Sequence, residues 1–258
     1  MKRLIFFTLI IFLSVQTVIF AANNPILRYT FDANTIQGDI VKDSAGKNDG
    51  TINGGAKQVE GVIEFDGKDG YIVTPALDAR IAGKAPFTAM GWFKTDQVPN
   101  GPLWMWGDNA KPSSSSGAEG PVGWRASSKM LTAGFYLNAH FYAEAKEDYA
   151  DNKWHVVAQV ADEAKGYIYV DGELISETTA GYVYAANPYF LIGTRTKNSG
   201  SDIDDTEYFK GSIDQVIIYT VALSKDEVKQ VSSQGNPVSS SNELASLWGY
   251  IKAENRKQ

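Results

Sequence analysis

After residue 25 nearly every apolar run of this chain is short and closed by turn residues, and that rhythm constrains the fold more than any other feature. "ILRYTFD" alternates, with Leu27, Tyr29 and Phe31 on one face. "VIEFDG" and "GYIVTP" flank "DGKDG", a hairpin signal. "FTAMGWFK", "GPLWMWGD", "KMLTAGFYLNAHFYAEA", "KWHVVAQVAD", "KGYIYVDGELISETT" and "YFLIGT" follow, and "EYFKGSIDQVIIYT" is the last strand. Only "SKDEVKQVSS" reads as a helix, opened by Ser224 with Glu227 three residues later in a capping box. About a dozen strands with glycine-rich turns and no alternating helices predict an all-β chain, an antiparallel β-sandwich or jelly roll.

The unbroken strand pattern offers no internal boundary, so one domain is expected over residues 23–235. A Ser/Pro linker and a tail with Leu244, Leu247, Trp248 and Ile251 at helical spacing follow over residues 236–258. Residues 1–22 have the layout of a cleaved secretory signal: Lys2 and Arg3, an apolar run, then Ala21 and Ala22. The expected product is exported, secreted or held at the cell surface, with no membrane insertion once the signal is removed. The chain has no cysteine, which excludes a disulfide framework, a thiol nucleophile and a cysteine metal site. Without Lys2 and Arg3, 22 basic residues face 30 acidic ones, a balance that argues against nucleic acid or anionic membranes as partners. Neither a phosphate-cradling Gly-x-x-x-x-Gly-Lys nor a Gly-x-Ser-x-Gly elbow occurs.

Seven segments taken together resemble the bacterial LamG-like jelly-roll domain, of the concanavalin A-like and pentraxin-related kind. They are "YTFD" (29–32), "KDSAGKNDGTINGG" (42–55), "VIEFDGKDGYIVTP" (62–75), "FTAMGWFK" (87–94), "KWHVVAQV" (153–160), "GYIYVDGELI" (166–175) and "FKGSIDQVIIYTVALSKDEV" (209–228). Residues 98–148 match the family little. The resemblance implies two curved antiparallel sheets with the first and last strands paired. It also implies an exported adhesive or sugar-binding module, often without a catalytic group.

The segment "KDSAGKNDGTING" is a loop rich in oxygen ligands. It is not an EF-hand, because the Asp ladder and the glutamate at the twelfth position are missing. Two other aspartates look out of place: Asp32 ends an apolar strand, and Asp214 lies in "GSIDQVIIY" on the strand face of Val216 and Ile218. An ionised carboxylate beside a core costs several kcal/mol unless a cation or donors neutralise it. If the first and last strands pair as the resemblance implies, Asp32 and Asp214 approach each other. The resembling domains often carry a structural Ca2+ in this corner, which implies Asp32, Asp43, Asn48 and Asp214 as ligands. The competing reading is that Asp43 caps its own turn while Asp32 and Asp214 accept backbone hydrogen bonds.

Specificity is expected in the middle segment. In "GFYLNAHFYAEA", Phe135, Leu137, Ala139 and Phe141 alternate with Tyr136, Asn138, His140 and Tyr142, an aromatic and polar face that suits sugars. Trp104, Trp106 and Trp124 are further candidates for ligand contact, with core packing as the alternative; Trp92 and Trp154 are expected in the core. The acidic loop "SGSDIDDTE" offers Asp202, Asp204 and Asp205 for a ligand or a bridging cation, or is simply solvated. "KPSSSSGAEGP" is a flexible loop. The Glu-x-Asp-x-x-Glu strand of laminarinase-type glucanases does not occur, and "EAKEDYAD" places its carboxylates in a polar turn. The expected function is therefore a non-catalytic carbohydrate-binding or adhesion module, with a glycan or cell-surface protein as partner. A protein-binding module and a polysaccharide-degrading enzyme are the alternatives.

Overall fold

In the computed structural model, residues 24–77, 79–81, 85–98, 101–108, 122–124, 130–136, 140–179, 188–197 and 202–234 are described. The signal segment, the 111–121 loop, Asn138 and the 236–258 tail lie outside them. The described strands form an antiparallel sandwich of two large sheets and a small two-stranded one. The eight-stranded sheet runs Glu173–Thr178, Gly166–Val170, His155–Ala161, Phe87–Lys94, Lys210–Tyr219, Val62–Asp66 and Lys57–Val59, with Leu27–Tyr29 also paired to Lys210–Tyr219. The nine-stranded sheet runs His140–Glu144, Leu131–Tyr136, Val122–Trp124, Pro102–Asp108, Pro188–Ile192, Tyr71–Val73, Gly50–Asn53, Ile40–Val41 and Ile36–Gln37. First and last strands pair as expected, with Leu27 opposite Ile218 and Tyr29 opposite Val216.

Alternation builds the core between the sheets. From Phe87–Lys94, residues Phe87, Ala89 and Phe93 point into it, where they meet Trp104, Trp106, Phe135 and Phe190 of the other sheet. The intervening Met90 and Trp92 join a second apolar layer on the outer face, with Val156, Ala158, Tyr169 and Ile217. That face is roofed by the helix α1 (Lys225–Gln234), which buries Val228 against it. Thr88 pins the chain leading to α1, since its hydroxyl donates to Val221 O (2.9 Å) and accepts from Leu223 N (2.9 Å). The capping box forms as read: Ser224 N and Oγ both donate to the Glu227 carboxylate at 2.8 and 2.7 Å.

Three local expectations are corrected. The strands flanking "DGKDG" do not pair with each other: Val62–Asp66 belongs to one sheet and Tyr71–Val73 to the other. Asp66 accepts the backbone N–H groups of Lys68, Asp69 and Gly70, turning the chain at a corner between sheets so that Phe65 and Ile72 both reach the core. The stretch from Met130 to Glu144 is not one strand but two, with Tyr136 directly opposite His140. The acidic segment read as a loop is a strand, Asp202–Tyr208, paired with Thr194–Lys197.

Candidate functional site

Asp43 is buried in its turn and saturated with donors. One carboxylate oxygen accepts Arg28 N and Ala45 N, each at 2.9 Å, and the other accepts Asn48 N at 3.0 Å and Asn48 Nδ2 at 3.2 Å. Asn48 Nδ2 also donates to Ile26 O (2.8 Å), and the Tyr29 hydroxyl donates to Asn48 O. Asp49 completes the knot by accepting Lys42 Nζ (2.7 Å) and Asp43 N (3.0 Å), which hold its carboxyl below the usual carboxylate range. Burial, with Asp43 and Asp49 nearby, pushes the Tyr29 phenol well above its ordinary value. This is the turn-capping reading: N–H dipoles occupy the positions a cation would take.

Asp32 and Asp214 differ. Asp214 lies at a bulge, and the register of the two adjoining strands shifts between Asp214 and Val216. Gln215 sits there at φ +46° and Phe31, next to Asp32, at φ +57°; neither is glycine, so both conformations are held by their surroundings. The bulge corrects the face assigned to Asp214. Ile213, Val216 and Ile218 enter the inter-sheet core, whereas Asp214 pairs with Trp92 and falls on the opposite face. Burial pushes its carboxyl up to about 7; the Gln215 N–H opposes this and the charge of Asp32 adds to it. Asp32 makes no side-chain cap to the short helix that follows it. The three aspartates expected to share a cation therefore do not converge, and among the described residues no group of three or more histidines and carboxylates is disposed to hold a metal. Asp43 is satisfied by N–H donors, Asn48 by donating to Asp43 and Ile26 O and accepting the Tyr29 hydroxyl, and Asp32 with Asp214 forms a donor-poor pair.

Trp104, Trp106 and Trp124 are core residues, which corrects their assignment to ligand contact. They are 0%, 2% and 2% exposed. Gln159, itself buried, explains two of them: its Oε1 accepts the indole N–H of Trp104 (3.5 Å) and of Trp106 (3.2 Å), and its Nε2 donates to Gly134 O (2.7 Å). Phe190 lies edge-on to Trp106 at 4.7 Å, and Phe93 to Trp124 at 5.7 Å.

At the edge of the nine-stranded sheet, Leu131, Ala133 and Phe135 turn inward together with Ala143 and Ala145. The register pairs Thr132 with Glu144, Gly134 with Tyr142 and Tyr136 with His140, so these positions share the opposite face of the hairpin. Tyr142 is half-buried there. Asn138 lies outside the described residues. Asp202, Asp204 and Asp205 occupy the strand Asp202–Tyr208, from which Glu207 pairs with Arg195 at 3.4 Å. In "EAKEDYAD", Glu144, Glu147 and Asp148 are exposed, and Asp148 is spent on its own turn by accepting Ala150 N (2.9 Å).

One constellation was not anticipated. His155 stands between two aspartates, with Nδ1 2.8 Å from Asp171 and Nε2 3.0 Å from Asp151. The hydrogen bond to Asp171, assisted by Asp151, raises the imidazole above its ordinary value, and each ring nitrogen faces a carboxylate oxygen. Lys153 and His155 in turn hold Asp151 well below the usual carboxylate range. Asp151 lies four residues before His155, but Asp171 reaches it only through the pairing of His155–Ala161 with Gly166–Val170, which no local motif announces. Trp154, expected in the core, is only half-buried beside this group.

A family model described as the concanavalin A-like lectin/glucanases superfamily matches residues 66–229. No curated protein sequence matches the chain. Among solved structures, domain 4 of AbnA, a GH43 extracellular arabinanase from Geobacillus stearothermophilus, in complex with arabinotriose, superposes with a TM-score of 0.60. It is 21% identical, over 81% of this chain and 98% of that one. Trypanosoma rangeli sialidase in complex with sialic acid gives 0.63 at 18% identity, over 82% of this chain and 33% of that one. The binding domain of botulinum neurotoxin DC in complex with SialylT gives 0.58 at 14% identity, over 82% and 52%. This chain thus spans about a third of the sialidase and half of the toxin domain, and at these identities the likeness is one of fold.

Proposed function

The chain belongs to the concanavalin A-like lectin/glucanases superfamily, and from that premise we propose that it is an exported, non-catalytic carbohydrate-binding module. The observation that carries this reading is the edge hairpin, Leu131–Tyr136 with His140–Glu144, whose register pairs position 136 with 140 and 134 with 142 while Phe135 is buried in the core. Aromatic rings take the C–H faces of sugars, and phenol and imidazole groups answer their hydroxyls. Support comes from the fold shared with domain 4 of the arabinanase, which holds arabinotriose. The non-catalytic part of the proposal is supported by Glu144, Glu147 and Asp148, which are solvated rather than opposed across a cleft. Export is supported by the basic, apolar and small-residue order of residues 1–22.

A structural Ca2+ belongs to the proposal only at Asp32 and Asp214, because the Asp43 carboxylate is already filled by N–H donors. Carboxylate oxygens and carbonyls are the ligands this ion prefers, and it would supply a positive charge to the pair formed by the buried Asp214 and the half-buried Asp32. Its role there is to hold the chain next to the first strand against the last one.

The test is glycan-array binding by residues 23–258, in calcium and in a chelator. Recognition of a glycan class, reduced at least tenfold by Tyr142→Ala, supports the proposal. Recognition lost in chelator links the cation to the ligand, and recognition that survives leaves it a purely structural part. No binding in either buffer, or new reducing ends or unsaturated products from polysaccharides, refutes the module as proposed.

A further inference from the structure

We propose a second ligand site, on the outer face of the eight-stranded sheet beneath α1, that takes a single neutral sugar ring. An open pocket of about 240 Å³ lies there, lined by Trp92, Trp154, His155, Asp171, Lys229 and Ser232 among others. It lies on the other sheet from the edge hairpin, and it stands whether or not that hairpin binds a glycan. Trp92 is its floor, packed among the apolar residues of the outer layer, and the half-buried Trp154 is a wall.

The polar groups around these rings leave capacity for a polyol. Asp171 uses one carboxylate oxygen for Val156 N (3.0 Å) and the other for His155 Nδ1 (2.8 Å). A carboxylate oxygen accepts two hydrogen bonds, so each retains one lone-pair direction, and the Asp171 side chain is 52% exposed. Lys229 gives one proton to Glu173 (2.9 Å) and keeps two. The Ser232 hydroxyl is buried on the pocket side of the helix and has no hydrogen-bond partner, which is costly unless a ligand or water supplies one.

Charge decides the class of ligand. The carboxylate of Asp171 is answered by His155, and Glu173 is shared by Lys225 and Lys229 at 2.9 Å each, so every charged group at the rim already has a partner of opposite sign. What remains is the half-buried Trp154 ring above Trp92, with donors and acceptors around it. That combination matches a pyranose or furanose ring: C–H groups against indole, vicinal hydroxyls against a carboxylate, an ammonium and a hydroxyl. A ligand of this size binds at about millimolar strength.

The experiment uses the whole exported chain, titrated with glucose, galactose, mannose, arabinose and N-acetylglucosamine, and with glycerol as the control that lacks a ring. Tryptophan fluorescence and saturation-transfer NMR report binding. At least one sugar is expected to saturate at millimolar concentration, and Trp154→Ala to weaken it tenfold or more. Should Trp154→Ala fail to fold, Ser233→Phe obstructs the same pocket from the exposed side of α1 and is expected to give the same loss. Tyr142→Ala, on the other sheet, should leave this affinity unchanged. No sugar binding better than glycerol, affinity within twofold of wild type in both pocket variants, or loss caused by Tyr142→Ala alone would each overturn the proposal.

Discussion

Asp214→Asn is expected to stabilise this protein, and to do so only where the aspartate would ionise. The folded carboxyl is pushed from 3.8 up to about 7, first by burial and then by the charge of Asp32. Because the folded pKa lies above the unfolded one, the folded state holds more protons between these values, and stability falls as pH rises through that window. The penalty is absent near pH 4 and complete above pH 7. About three pKa units at 1.36 kcal/mol each make it about 4 kcal/mol in the metal-free protein. Asparagine keeps the shape without the charge, so the variant should gain up to that amount at pH 8, or about 10 °C in Tm for a chain of this size. Unfolding by heat or guanidinium, followed by tryptophan fluorescence from pH 4.5 to 8.5 in chelator, measures it. A difference between the two proteins that is the same at pH 5 and pH 8, or a variant less stable at both, would refute the reasoning. Calcium adds a second arm: at pH 8 it should stabilise the wild type and leave Asp214→Asn unmoved.

Gln159→Leu should cost several kcal/mol in guanidinium unfolding, since it strands two indole N–H groups and the Gly134 carbonyl, each worth about 1–3 kcal/mol when buried unpaired. Gly166→Ala puts a methyl group 2.4 Å from the Phe135 ring across the inter-sheet core, and a loss of about 1–3 kcal/mol in the same assay is expected. His155→Asn removes an imidazolium whose folded pKa is raised. The stabilisation it supplies is fully present below the ordinary histidine value of about 6.5 and is lost as pH rises through the higher folded one, so the wild type should show that dependence and the variant should not. An NMR titration of His155 near its ordinary value would contradict this.

The strand rhythm, the pairing of first and last strands and the α1 capping box were legible because each depends on local pattern or on family order. What stayed hidden depends on which elements meet. "DGKDG" has the chemistry of a tight turn whether the strands beside it pair or part, and only the burial of Phe65 and Ile72 from two different sheets decides it. In "LWMWGD" both faces are apolar, so alternation alone could not say which one meets the other sheet; the buried amide of Gln159, distant in sequence, receives the indoles. The bulge at Gln215 has no glycine to announce it, yet it shifts the parity of the strand and moves Asp214 to the other face. In the hairpin at residues 131–144 Tyr136 stands opposite His140, so positions of the same parity pair across the turn. His155 and its two aspartates were missed because Asp171 is a partner by strand register only.

The strand Lys210–Tyr219 has a consequence for the order of folding. It sits between Phe87–Lys94 and Val62–Asp66 and also receives Leu27–Tyr29, so three stretches made early in synthesis wait for one made late. Until it arrives, Phe87–Lys94 and Val62–Asp66 have unpaired edges facing each other across a gap, and an open edge invites another chain. Contacts this distant in sequence make for slow closure. The chain therefore stays pliable until nearly all of it has been made, which suits the proposed export, and exposes it to aggregation if synthesis stops short of Lys210.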